Sequence, residues 1–153
     1  MITAGNAPGL SDGGAALVLM SGERAKAAGA QPLARVVAYA TGGTDPKDLF
    51  FAPIDAVHKL MAKEGKAIGD YGLFEVNEAF AVQAIADMRA LGMDEERVNV
   101  NGGAVALGHP IGASCDRVLV TLLHAMEQRG VATGLATLCL GGGNAVAVSV
   151  ERR

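Results

Sequence analysis

The sequence predicts an α/β fold in which helices cover both faces of a mixed, mostly parallel sheet. Apolar runs of strand length alternate along the chain with helical segments, and this order is typical of parallel sheets. Half of the 153 residues are apolar, only 4% are aromatic, and 21 are glycines. This composition indicates a core of small aliphatic side chains, in which strands and helices approach one another closely. The length is sufficient for one domain with its own core.

The first third of the chain is predicted to begin with a loop and continue with short elements. Residues 3–14 have the glycine, asparagine, aspartate, serine and proline content of a loop. The continuous apolar run 15–20 predicts a strand that is buried on both faces. Ser21 is suited to cap a short helix through residue 28, and residues 33–40 predict the next strand.

The middle of the chain predicts two helices that alternate with two strands. Pro53 favours a helix start, and apolar residues at helical spacing continue this helix to Gly65. Residues 71–76 predict a strand. Residues 78–91 predict a helix that buries residues 81, 84, 85, 88 and 91, and residues 98–101 predict a short strand.

The last third predicts a long helix and a closing hairpin. Residues 113–129 have apolar side chains at helical spacing, and Gly130 terminates this helix. Residues 134–139 and 144–150 predict two strands that are separated by only four residues. A connection this short suits an antiparallel pair.

Several classes of protein are disfavoured by composition. A net charge of −3 without blocks of like charge gives no electrostatic footprint for nucleic acid. No apolar run approaches the roughly 18–20 residues that span a bilayer, and the first residues do not resemble a signal peptide. Two separated cysteines indicate reduced thiols, so we expect a cytoplasmic protein.

Three polar side chains are predicted to follow or end strands, where open α/β sheets bind their ligands. They are Asn77, His109 and Cys139. An imidazole exchanges a proton near neutral pH, and a thiol can act as nucleophile or base. The backbone N–H groups of residues 141–143 can stabilise a developing oxyanion. Together these groups are more typical of a reaction site than of three unrelated positions.

Each of these residues also has an ordinary structural explanation. Asn77 can serve only as a helix N-cap, Cys139 as an inert core thiol, and His109 as a residue that fills a stiff turn. A zinc site built from Cys115, Cys139 and His109 lacks close ligand spacing and a fourth ligand. The triple glycine lacks the lysine and hydroxyl of a phosphate-binding loop and does not open a helix.

Three motifs of the chain resemble the C-terminal signatures of thiolases, the acetyl-CoA acetyltransferases. They are Asn-Glu-Ala-Phe-Ala at residues 77–81, the stretch 99–112 with its Gly-His-Pro, and Cys-Leu-Gly-Gly-Gly at 139–143. Residues 3–12 are similar to the loop of that family that contacts pantetheine. The resemblance covers essentially the whole chain, in order and at the family's spacing.

The resemblance implies a specific architecture. The thiolase fold is a duplicated α/β unit, and this chain resembles its second copy. Residues 1–14 would be the tail of the CoA-contacting loop region, and residues 15–153 the C-terminal domain. The expected unit has three α/β/α layers and a five-stranded mixed sheet.

The resemblance also implies a catalytic role for four residues. His109 would activate the cysteine that accepts the acyl group. Cys139 would remove the α-proton of the second acetyl-CoA and then return a proton to the leaving thiol. Asn77, through a bound water, would hold the thioester oxyanion together with His109. The amide of Gly141 would contribute to a second oxyanion hole.

Coenzyme A contacts are implied for two further segments. Ala7, Pro8 and Leu10 would contact CoA, and Ala79 and Phe80 would line the pantetheine tunnel. The substrate would be a CoA thioester, and neither a permanently bound cofactor nor a metal ion is expected. Pro8 stands where many thiolases have a serine, so one hydrogen bond to the ligand would be absent or replaced.

The chain departs from the family pattern in its cysteines. Nothing in it matches the acyl-accepting cysteine of thiolases and its Cys-Gly-Ser-Gly-like context. Cys115 is not that residue, because it follows the histidine motif. Together with Asp116 it replaces the usual glycine there, which puts local packing and CoA access in question.

We therefore expect the C-terminal half of a thiolase of fatty acid metabolism that condenses two acetyl-CoA to acetoacetyl-CoA or runs the reverse thiolysis. This chain alone would be inactive, because it needs the N-terminal half, in the same or a separate polypeptide. The intact protein would be a homo-oligomer, a dimer or tetramer. The alternative is a non-catalytic CoA-binding or assembly subunit that needs a partner chain. A decarboxylating condensing enzyme is disfavoured, because such enzymes have histidines or asparagine at positions such as Cys139.

Overall fold

The computed structural model describes residues 1–152, and within them the sheet has four strands. They are β1 (Arg35–Gly43), β2 (Leu73–Val76), β3 (Thr133–Leu140) and β4 (Asn144–Glu151), and their order in the sheet is β1-β4-β3-β2. The hairpin of β3 and β4 is antiparallel, as predicted, and β4 also pairs antiparallel with β1. The β2–β3 pair is parallel.

The α/β class is confirmed, but the prediction of a five-stranded, mostly parallel sheet is wrong. Residues 15–20 have no regular structure, and Val18 and Leu19 are 85% and 73% exposed. A strand needs a neighbour for its backbone hydrogen bonds, and residues 15–20 have no ladder partner within the described chain. The β1–β4–β3 run is antiparallel, which leaves one parallel pair instead of a majority.

The predicted strand at residues 98–101 is reduced to a single bridge between Val98 and Phe74. Asn99 then adopts a positive φ of 47°, and the chain turns away from the sheet. The Asn99 side chain takes over the pairing, because its amide accepts from the N–H of Val76 and donates to the carbonyl of the same residue, both at 2.8 Å. A side chain therefore completes the edge of β2 where a strand was expected.

The α-helices of residues 1–152 are α1 (Gly22–Ala27), α2 (Ala52–Glu64), α3 (Ala81–Leu91), α4 (Ala104–Leu107) and α5 (Ser114–Arg129). All but the short α4 were predicted, in this order. Ser21 caps α1 through its hydroxyl, as expected, and α2, α3 and α5 each end at a left-handed glycine. Helix α3 begins three residues later than predicted, because residues 78–80 form an extended loop.

Two apolar clusters on opposite faces of the sheet make the three layers. The first joins α2 and α3 to one face, through side chains such as Leu60, Phe74 and Leu135. The second joins α5 to the other face, through Leu73 and Leu122 among others. Neighbouring residues of a strand alternate between these clusters, as the pleat requires.

Helix α5 covers only part of its face of the sheet. A groove of about 320 Å³ remains open beside it and is lined mainly by apolar side chains of the loop at Leu19, of α5 and of β1, β3 and β4. Val36 and Tyr39, which line it, are 43% and 69% exposed. Within residues 1–152, no helix has both the length and the apolar character that crossing a membrane requires.

Candidate active site

Strand β2 places Asn77 beside the start of α5. Leu73 belongs to the cluster under α5, whereas Phe74 and Val76 belong to the opposite cluster. Alternation therefore directs Glu75 and Asn77 toward α5, and both are 1% exposed. The Asn77 N–H donates to the carbonyl of Thr137 at 3.0 Å, which extends the parallel pairing one residue past β2.

His109 lies in the loop that leads into α5, and its tautomer follows from its hydrogen bonds. Nδ1 is 2.6 Å from Ser114 Oγ, and the Ser114 hydroxyl donates to the carbonyl of Pro110 at 3.0 Å. A hydroxyl has one proton to donate, so Ser114 Oγ must accept from Nδ1–H. The neutral ring therefore presents a free lone pair at Nε2.

The free nitrogen of His109 faces the amide of Asn77. Arg117 Nη2 donates to Asn77 Oδ1 at 3.3 Å, so Oδ1 points to α5 and Nδ2 points to the ring. Nδ2 lies 3.5 Å from His109 Nε2, a long contact. Burial, and then the positive charge of Arg117, lower the pKa of His109, which keeps the ring neutral and able to accept a proton at neutral pH. The structure thus brings two of the predicted site residues together.

Glu78 connects the loop after β2 to the histidine loop, a role that sequence reasoning missed. Its carboxylate accepts from Asn99 Nδ2 at 3.1 Å and from the Val105 N–H at 2.8 Å. A Cβ at Gly103 would lie 2.0 Å from the carboxyl carbon of Glu78, so a larger residue there would displace the carboxylate from these bonds. The signals in the sequence were an acidic residue inside the motif at residues 77–81 and, separately, the glycine pair at 102–103.

Cys139 lies near the carboxyl end of β3, at the same end of the sheet as Asn77, but its side chain makes different contacts. It is half-buried, and in the described chain no hydrogen bond joins it to His109 or Asn77. Burial, followed by the negative charge of Asp87, raises the pKa of its thiol. Gly141 lies beyond it in an exposed turn, where its carbonyl accepts from the Asn144 side chain at 3.2 Å.

The first loop of the chain packs against both site loops. The Asn6 carbonyl accepts from the Ala81 N–H at 3.1 Å, and the Gly9 carbonyl accepts from the His109 N–H at 3.0 Å. Gly108 has a φ of +99°, and a Cβ there would lie 2.3 Å from Ser11 Oγ. Backbone hydrogen bonds therefore join Asn6 to the start of α3 and Gly9 to the histidine loop.

The residues that were predicted to contact CoA lie in the first loop of the chain and in the loop after β2. Ala7 and Pro8 are half-buried, whereas Leu10 is 87% exposed beside His109, with which it forms a bridge. Ala79 and Phe80 are half-buried. The ring of Phe80 packs edge-on against that of Phe50, and the ring centroids are 5.2 Å apart.

Two buried polar residues of α3 were not predicted. Gln83 accepts from the Ala79 N–H at 3.1 Å and donates to Asp87, which is fully buried. Burial raises the pKa of Asp87 to about 7, although the hydrogen bond from Gln83 opposes the shift. The predicted apolar stripe of α3 is wrong in one respect, because Ile85 is 41% exposed. The signal in the sequence for the pairing of Gln83 with Asp87 was their spacing of four residues on a helix.

Cys115 does not join the site residues. It is exposed and lines the open groove beside α5, where burial and then the charge of Asp116 raise its pKa. Among residues 1–152, no group of three or more histidine, cysteine or acidic side chains is arranged to hold a metal ion.

Residues 30–152 match the family model described as the C-terminal domain of thiolase, and the chain belongs to the thiolase family. The acetyl-CoA acetyltransferases of Escherichia coli and Rhizobium meliloti are 54% and 56% identical to it. Both alignments cover 99% of this chain and 38% of the relative. The chain therefore spans about two fifths of the length of these relatives.

Solved structures show the same fold. The acetyl-CoA acetyltransferase of Bacillus anthracis superposes with a TM-score of 0.97 at 49% identity, over 99% of this chain and 39% of that one. Human mitochondrial 3-ketoacyl-CoA thiolase in complex with CoA superposes with a TM-score of 0.90 at 37% identity, over 99% and 38%.

Proposed function

We propose that this chain is the C-terminal half of an enzyme that condenses two acetyl-CoA to acetoacetyl-CoA, or runs the reverse thiolysis. The observation that carries the proposal is the free Nε2 lone pair of His109 beside the Asn77 amide, at the sheet edge that Cys139 also approaches. The names of the relatives support acetyl-CoA as the substrate.

In the first step, His109 acts as the base. Its Nε2 takes the proton of a cysteine thiol supplied by the N-terminal half, and the thiolate attacks the carbonyl of acetyl-CoA. The bond to the CoA sulfur breaks, and the proton passes from His109 to that sulfur. The products are an acetylated cysteine and free CoA, so the histidine ends the step neutral.

In the second step, the thiolate form of Cys139 takes the α-proton of another acetyl-CoA. Asn77, through a bound water, and His109, which has taken a proton from solvent at Nε2, hold the resulting oxyanion. The carbanion attacks the acetylated cysteine, whose new oxyanion is held by the Gly141 amide. The carbon–sulfur bond then breaks, and the Cys139 thiol gives its proton to the released thiolate. The raised pKa of Cys139 makes its thiolate a stronger base for the α-proton.

The loop geometry supports a site for the pantetheine arm of CoA. Ala7, Pro8 and Leu10 lie on a loop whose backbone is bonded to the histidine loop. Ala79 and Phe80 lie between Asn77 and α3. We propose that these two segments line the CoA channel and that the thioester is a substrate, not a resident cofactor.

The N-terminal half, in the same or a separate polypeptide, is the proposed partner. It would supply the acyl-accepting cysteine and cover the open apolar groove beside α5. About three fifths of the length of the relatives lies outside the aligned region, which is enough for a second α/β unit. We further propose that this chain alone is inactive and that the complete enzyme is a cytoplasmic homo-oligomer, a dimer or tetramer, of fatty acid metabolism.

The direct test measures acetoacetyl-CoA formation and thiol acetylation by the complete enzyme supplied with acetyl-CoA. Intact mass spectrometry of the natural protein shows first whether the two halves share a polypeptide. We expect one acetylated cysteine outside this chain and a condensation product. Binding of CoA without acetylation or condensation would instead indicate the alternative, a non-catalytic CoA-binding or assembly subunit.

A further inference from the structure

The arginine in the first turns of α5 has an unusual set of neighbours. Arg117 Nη2 donates to Asn77 Oδ1 at 3.3 Å, and Nη1 lies 3.6 Å from Glu75 Oε2. Its Nε and Nη1 are buried and have no hydrogen-bond partner in residues 1–152. The bond to Asn77 is therefore the one side-chain hydrogen bond of this guanidinium in the described chain.

The placement of these three residues follows from regular structure. Glu75 and Asn77 are two apart at the end of β2, so their side chains leave the sheet on the same side. Arg117 is three residues after Ser114 on α5, which puts it on the same helix face as the partner of the imidazole. The ring and the amide are thus positioned from one helix.

Asn77 needs such a partner because its two ends are chemically different. A primary amide can rotate to exchange its donor and its acceptor. A donor at Oδ1 removes that choice, since a rotated amide would place Nδ2 against the Arg117 N–H groups. The orientation that remains directs Nδ2, the donor, toward His109 and the proposed oxyanion site.

We propose that Arg117 is a positioning residue for the thiolase reaction, since it fixes the amide of Asn77 with its NH₂ group toward His109. This inference rests on the proposed function. The guanidinium touches no reacting atom, and it acts through Asn77 and through its electrostatic effect on His109.

Two variants of the complete enzyme separate these effects. Arg117→Lys keeps the charge but loses the planar donor, so we expect kcat for condensation to fall about 10- to 100-fold while KM for acetyl-CoA changes less than about twofold. Arg117→Gln also removes the charge. The pKa of His109 should then rise, and the acidic limb of the acetylation pH profile should move to higher pH.

Glu75→Gln tests the neighbour of the guanidinium. Burial raises the pKa of Glu75 to about 8, partly offset by Arg117, so the carboxyl is mostly protonated at the lower pH of the acidic limb. A neutral amide at this position should therefore leave the acidic limb unmoved, which separates the charge of Arg117 from a general change in its surroundings. Arg129→Lys and Arg129→Gln are the matched controls, because Arg129 lies at the other end of α5 and bonds the Val100 carbonyl at 3.4 Å.

Thermal melting of each variant distinguishes positioning from simple support of the fold. Kinetic losses in the folded Arg117 variants, with a limb shift in Arg117→Gln that neither Glu75→Gln nor the Arg129 variants share, would establish the role. Wild-type kcat and pH limb in folded Arg117 variants would overturn it. If both Arg117 variants are unfolded at the assay temperature, a crystal structure of the wild-type complete enzyme in which Asn77 Oδ1 does not face Arg117 would overturn it. A wild-type enzyme that is never acetylated refutes the proposed function itself, which is a separate outcome.

Discussion

The two sides of the candidate site are held in different ways. His109 and Asn77 are fixed by side-chain hydrogen bonds with Ser114 and Arg117, respectively, both of which lie on α5. Cys139 is positioned mainly by the backbone pairing of β3 with β4, next to an exposed turn. The difference suits the proposed chemistry, because an imidazole and an amide need a defined orientation, whereas a thiol sulfur can accept a proton from several directions.

The largest effect should come from the thiol side. Cys139→Ser in the complete enzyme should reduce condensation about 10³- to 10⁴-fold, because a hydroxyl is a much weaker acid than a thiol and scarcely ionises near neutral pH. Acetylation of the nucleophile should change less than about fivefold. Separate rapid-mixing measurements of the two half-reactions test this, with Cys115→Ser as the control thiol. Equal losses in both half-reactions would contradict the assignment of Cys139 as the base.

The next effect concerns the imidazole side. His109→Gln should slow acetylation about 10²- to 10³-fold, since a glutamine side chain cannot serve as the base. The rate of acetylation by acetyl-CoA, followed by intact mass, gives the measurement. His124→Gln is the matched control, because His124 is an exposed residue of α5. Acetylation at the wild-type rate in the His109 variant would mean that another base activates the thiol.

A smaller loss is expected from the partner of His109. Ser114→Ala removes the acceptor of the Nδ1–H bond, so the ring can adopt the other tautomer and rotate. We expect acetylation to slow about tenfold with little change in KM. Ser114→Thr, which keeps the hydroxyl, should recover much of the rate. If the threonine variant is as slow as the alanine variant while both melt like the wild type, the hydroxyl is not what orients the ring.

The smallest effect should come from the buried carboxyl of α3. Asp87→Asn removes a negative charge that adds to the effect of burial in raising the pKa of Cys139. The limb of the condensation pH profile that reports ionisation of the Cys139 thiol should therefore move to lower pH. At neutral pH we expect a change of about two- to fivefold. A limb that does not move would show that Asp87 does not act on the thiol.

The same variant has a second readout in stability. Burial raises the pKa of Asp87 to about 7 from an ordinary value of 3.8, so the folded protein holds this proton more tightly than the unfolded chain. The neutral carboxyl favours folding fully below about pH 4, and this contribution is lost as pH rises to about 7. Asp87→Asn should therefore raise the melting temperature more at pH 8 than at pH 5, by a few degrees. Glu23→Gln, at an exposed site on α1, should show no such difference.

Much of this arrangement was accessible from the sequence. The motifs at residues 77–81, 108–110 and 139–143 were predicted at the ends of strands, and the parallel pairing of β2 with β3 brings the first and third to one edge. The closing hairpin and the glycine helix ends follow from local chemistry, which a single sequence carries.

The errors have a common physical origin, which is tertiary contact. Residues 15–20 have the composition of a strand but no partner in the described chain, so composition alone misassigned them. Gln83 and Asp87 lie toward the interior because they bond each other and the Ala79 N–H, which displaces the expected apolar stripe. Arg117 and Ser114 could not be assigned roles, because their partners are distant in sequence or depend on how the loop folds.

The side chain of Asn99 has one further consequence, for the exchange of backbone hydrogens with solvent. Val76 is the last residue of β2, where an amide would ordinarily exchange quickly because strand ends open easily. Both of its backbone polar groups are bonded to the Asn99 amide. The Val76 amide should therefore exchange with deuterium as slowly as amides in the centre of the sheet, and Asn77 begins its loop from a residue that does not fray.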